Sequence, residues 1–117
     1  MPAPAAGTCL GRLLIKSKPG SAVDAARTAA NAFPQSTRAA HVLMAALIAD
    51  GQQKQAIELG TRLLAFDPAN PVTTHLLAQA SKKADAKSWA KETGRLLAGN
   101  DQARKEWEAD VAWARGE

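Results

Sequence analysis

A spacing of 34 residues recurs along this chain, and it constrains the fold more than any single motif. Ala22, Ala56 and Ala90 stand 34 residues apart, and so do Pro34 and Pro68. The positions Ala26, Gly60 and Gly94 keep the same interval, as do Ala29, Leu63 and Leu97. Upstream of these, Leu10 corresponds to Met44 and Ala78, and Cys9 to Leu43 and Leu77. A fixed period of this length marks a repeat architecture, in which one unit cannot bury its apolar face alone. Neighbouring units must stack to cover it.

Composition decides what each unit is made of. Hydrophobic residues make up 46% of the chain, with alanine dominant, no Tyr and two Phe. Alanine is the best helix former and fills little core, so it suits closely packed helices and argues against a sheet. Punctuation then marks seven helical stretches. The first covers about residues 8–17 and ends at Lys18-Pro19-Gly20; the second is expected to be capped by Ser21, with Asp24 three residues on. Phe33-Pro34 ends it, and Ser36 or Thr37 opens the third, which stops at Asp50-Gly51. The fourth covers about 53–66, and Asn70 with Pro71 starts the fifth. That gives way near Ala84-Asp85 to a sixth ending at Gly99, and Asn100 or Asp101 caps the seventh. Connections this short make adjacent helices antiparallel. The expected fold is one all-α domain of antiparallel helix hairpins, with units at about 3–36, 37–70 and 71–104.

The seventh stretch, about 101–115, is expected to be a capping helix. Ala103, Trp107, Val111 and Ala114 form an apolar stripe, and Lys105, Glu106, Glu108 and Arg115 occupy the other face. Trp113 falls off the stripe, as a secondary contact or an exposed ring.

The formal charge of +4 is uneven: residues 1–100 carry twelve basic and six acidic side chains, whereas residues 101–117 carry three and five. The body is therefore +6 and the tail −2, a balance that admits an acidic partner without demanding nucleic acid. Cys9 is alone, so it can form no internal disulfide, and it is expected to be a small buried apolar residue. The N-terminus has no basic region followed by an apolar run, and the apolar stretch from Ala39 to Ala49 is too short to span a bilayer. The expectation is a cytoplasmic protein without a membrane span. Neither a phosphate-cradling glycine loop, a zinc-ligand spacing nor a nucleophile elbow is present. No enzyme activity and no cofactor are expected.

With these residues in view, the chain resembles the tetratricopeptide repeat family, over about 100 of its 117 residues. Leu43, Gly51, Ala56 and Pro68 of the middle unit match the family pattern, whereas Ala40, Met44, Leu47, Gly60 and Leu63 depart from it. The first unit has lost the turn glycine, and the third has Asp85 at the turn and Gln102 in place of proline. The resemblance implies a right-handed superhelix with a concave groove lined by the first helix of each unit. Carried over by position, that groove takes Leu14 and Ile15 from the first unit and Arg38, His41, Ala45 and Ile48 from the second. The third unit contributes His75, Gln79, Lys82 and Lys83. An apolar floor with a cationic wall suits a peptide or helix with an acidic flank. A metal held between His41 and His75 is disfavoured, because packed helices lie ~8–10 Å apart and no third ligand is evident.

The implied function is a protein–protein interaction scaffold or adaptor. One alternative is a self-associating assembly module or secretion-type chaperone, with a homo-oligomer as its product. Another is a nucleic-acid-binding adaptor using Lys82, Lys83, Lys87 and Lys91 around Trp89. The latter is disfavoured because such surfaces need more charge and more stacking aromatics, and Trp89 is expected to pack in the core.

Overall fold

The structure, a computed structural model, describes residues 5–117, with side chains described from residue 9 onward. The start of the first unit, residues 3 and 4, lies outside the described residues. Among the described residues seven α-helices follow one another: α1 (Ala5–Leu14), α2 (Pro19–Ala32), α3 (Thr37–Ala49), α4 (Gln53–Phe66), α5 (Pro71–Ala80), α6 (Lys83–Leu97) and α7 (Asp101–Ala114). No strand occurs among the described residues. The fold is all-α. None of the helices is long and apolar enough to cross a membrane.

The helix boundaries follow local chemistry. Ser36 accepts from the backbone N–H of Ala39 at 3.2 Å, and Asn70 accepts from those of Val72 and Thr73 at 3.0 and 3.3 Å. Asn100 does the same for Ala103 at 2.9 Å. Each satisfies donors that an α-helix leaves unpaired in its first turn. Gly51 and Gly99 close α3 and α6 in the left-handed region, at φ of 78° and 73°, where a side chain would be strained. Several boundaries differ from expectation: α1 ends at Leu14, short of Ser17, and α5 ends at Ala80 with α6 opening at Lys83, ahead of the break expected near Ala84-Asp85. Helix α2 begins at Pro19, with Lys18 rather than Ser21 at its cap, because proline has no N–H to leave unpaired at the first helical position. Helix α1 begins at Ala5, before Thr8.

From α1 to α6 each helix packs against the next, and α3 also touches both α1 and α5 along one side. Helix α3 is buried from Ala39 to Leu47 on every face, as a central helix must be. Its Val42, Met44 and Ala46, and Ala22, Ala26, Ala56, Leu76 and Leu77 around it, are shut off from solvent. Small residues set the helix spacing. A Cβ placed on Gly60 would come within 2.6 Å of Leu77 and 2.7 Å of Met44, so α4 sits against α3 and α5 with no room for a methyl group.

Helix α7 breaks the pattern. It touches α6 lightly and also reaches α3 and α5, so it turns back over the stack instead of prolonging it. The radius of gyration is 13.4 Å, about the value a compact globule of this length has. Cys9 is also a correction. It is exposed, although its repeat mates Leu43 and Leu77 are buried, because no described element lies against that side of α1.

Candidate interaction site

The face built by α1, α3 and α5 is the one on which α7 lies. The contacts give its course. Trp107 donates its indole N–H to the carbonyl of Pro71 at 3.1 Å, at the start of α5, and its ring meets that of His75 edge-on at 5.2 Å. One turn later, Asp110 faces Arg38 of α3 at 3.8 Å. The guanidinium groups of Arg12 and Arg38 then lie over the Trp113 ring, 4.6 and 4.4 Å from its centroid. Arg12 also donates through Nε to the Trp113 carbonyl at 2.5 Å. At the end, Glu117 comes within 4.0 Å of Lys16, just past α1. Helix α7 thus crosses α5, α3 and α1 in that order. Its stripe explains why: Val111 and Ala114 are buried against the stack and Trp107 is half-buried.

The chemistry of this contact is cationic and aromatic. Two guanidinium groups over one indole draw on the ring's electron-rich face. The ion pairs to Asp110 and Glu117 are exposed and add little to stability, though they align the helix.

Two cavities remain on this face, one under α7 and one past its end. One of about 400 Å³ lies over the starts of α3 and α5, lined by Arg38, His41, Asp67, Trp107, Asp110 and Trp113 among others. The second, of about 590 Å³, is lined by Ile15, Ala45, Ile48 and Gln79 from the stack, with Arg115 and Glu117 from the far end of the chain. Six of the expected groove residues therefore gather in two places: Arg38 and His41 in the first, and Ile15, Ala45, Ile48 and Gln79 in the second. His75 is held against Trp107. Leu14 is half-buried against the core. Lys82 and Lys83 line neither cavity; they cap and open α6 and are exposed.

The two histidines have different roles. His41 is buried, with Nε2 2.8 Å from the hydroxyl of Thr73, so it joins α3 to α5. Burial drives its pKa down to about 4, against a smaller upward pull from Asp67. His75 is also lowered, by burial first and then by the charge of Arg115. Both rings are neutral at pH 7. Among the described residues no three His, Cys, Asp or Glu side chains group as a metal site would require.

Arg12, Trp107, Asp110 and Trp113 make most of the specific contacts, and position in the repeat finds none of them. Arg12 lies beside the groove positions and the others lie beyond the third unit. Two signals pointed to them: the opposite charges of the body and tail, and Trp113 standing off its helix's apolar stripe. Comparison with protein-family models, with curated proteins and with solved structures finds no match to this chain.

Proposed function

We propose that this protein is an interaction scaffold whose α1–α3–α5 face receives a helix of another protein. The observation that carries this reading is α7 itself. That face holds an amphipathic, acidic, tryptophan-bearing helix through Arg12 and Arg38, with a cavity left beside it over Ile15, Ala45 and Ile48. A face able to hold one such helix has the chemistry to hold another. The test is a photo-crosslinking residue at Gln79, which is exposed at the rim of the second cavity, against one at Lys54 on α4. The Gln79 probe should capture a partner in native extract that the Lys54 probe does not; equal labelling from both would remove the reading.

Self-association is a second reading, favoured by Leu10 and Leu13 on α1. They are 50% and 76% exposed, unusual for leucines standing so near one another. It predicts a mass that rises with concentration in light scattering, and a constant monomer mass on dilution would exclude it.

A further inference from the structure

We infer that α7 is a displaceable internal ligand: the partner helix enters by exchanging with it and carries the same acidic, indole-bearing pattern. The inference rests on the scaffold reading and adds to it both the state of the free protein and the chemistry of the partner.

Three observations lead there. First, α7 is held by few groups. Of its fourteen residues only Val111 and Ala114 are buried. Although α4 and α6 also bury two each, they pack closely against their neighbours, whereas α7 touches α3, α5 and α6 only lightly. A helix with so little covered surface belongs to the part of a structure that opens before the whole unfolds. Second, the contact is unfilled. A cavity of about 400 Å³ borders α7 between Ala103 and Ala114, and one of about 590 Å³ lies past its end beside Arg115 and Glu117, so part of the surface is left unoccupied. A helix with larger apolar side chains at the Ala103 and Ala114 positions would reach into the first of these. Third, the charges match. Residues 101–117 are net −2 and face Arg12, Lys16 and Arg38. The partner implied is an amphipathic helix with a carboxylate and, three residues on, a tryptophan to lie under Arg12 and Arg38, as Asp110 and Trp113 do.

The connection from α6 to α7 is the tripeptide Ala98-Gly99-Asn100. So short a tether holds α7 at an effective concentration of about a millimolar or more. An incoming helix must compete with that, so the free protein is self-occupied and weak partners are excluded.

The probe is a fluorescein-labelled synthetic peptide of residues 101–117, titrated in fluorescence anisotropy. Against the unaltered full chain it should bind weakly. Against a full chain carrying Trp107→Ala with Trp113→Ala, whose own α7 has lost its anchors, it should bind at least about tenfold more tightly, since the tethered competitor is weakened. Adding Arg38→Glu to that variant should abolish the gain. If the Trp variant keeps its helical circular dichroism and still binds the peptide no better than the unaltered chain does, the inference is overturned. Hydrogen exchange on the unaltered chain keeps it testable should that variant fail to fold. Amides of α7 should exchange at least about tenfold faster than those of α3, and exchange of both at one common rate would overturn it equally. Neither measurement uses an outside partner, so failure here leaves the scaffold reading to the crosslinking experiment, and success here does not rescue it.

Discussion

Helices α4 and α6 occupy the same place in successive repeats, yet their surroundings differ. In α4, Ala56 and Gly60 are buried, and a Cβ on Gly60 would strike α3 and α5. In α6 their repeat mates Ala90 and Gly94 are exposed, and a Cβ on Gly94 would touch nothing within 4 Å. The difference is α7. Had it stacked behind α6 as α5 stacks behind α4, Ala90 and Gly94 would be covered. It crosses the α1–α3–α5 face instead, and the small residues of α6 are left facing solvent. The same separation holds at the other end, where Cys9 is exposed and Leu43 and Leu77 are not. A residue in a repeat gets its environment from its neighbours, and only the middle of the stack has neighbours on both sides.

The largest expected effect tests the ends against the middle. Leu77 is completely buried, and Leu77→Ala should cost ~2–5 kcal/mol, from lost transfer free energy and the cavity left behind. Cys9→Ala, one repeat-equivalent position at the exposed end, should change stability by less than about 0.5 kcal/mol. Urea unfolding measures both. A Cys9→Ala loss comparable to that of Leu77→Ala would mean that the outer side of α1 is covered in solution.

His41 and His75 sharpen the comparison by pH. The unfolded chain takes up a proton at each imidazole near pH 6.5, whereas the folded chain resists it at His41 down to about 4. Between those values the unfolded state binds more protons, so stability should fall as the pH is lowered from about 6.5 to 4, by about 3 kcal/mol in all. His41→Gln should flatten most of this slope. His75→Gln should leave most of it, since that ring is only half-buried beside Trp107. Equal flattening by the two variants would show that the rings share one environment.

The hairpins were legible in the sequence because their signals are local. Ser36, Asn70 and Asn100 cap helices through bonds to residues two or three positions on, and Gly51 and Gly99 supply backbone conformations of their own. The 34-residue period then reports which faces of those helices carry small residues. It does not report whether a neighbour arrives. The course of α7 depends on contacts such as Arg12 with Trp113, which are 101 residues apart and belong to no repeat. The apolar stripe from Ala103 to Ala114 shows that the helix must cover something, and either end of the stack or its face would serve. The basic excess of the body admits an acidic partner, and within the chain that partner is the acidic tail. His41 shows the same limit: its register position was legible, but its bond to Thr73 of the next unit was not.

The smallest effect is the most discriminating, because the two variants should move in opposite directions. In Gly60→Ala the new methyl group meets the Leu77 and Met44 side chains at 2.6–2.8 Å, and both are fully buried with no solvent to move into. Overpacking of that kind costs ~1–3 kcal/mol. The gain in helix propensity returns about 1 kcal/mol, leaving a net loss of about 1 kcal/mol. In Gly94→Ala the propensity gain stands alone, because the added Cβ meets nothing. That variant should be more stable by ~0.5–1 kcal/mol, through a helix interior with less backbone freedom to lose. Thermal and urea unfolding of the pair should therefore bracket the parent. A loss at both positions would mean that α6 is as tightly covered as α4, by a second copy of the chain or by α7 in another place. A gain at Gly94 alone ties the open side of α6 to the course of α7 across the opposite face.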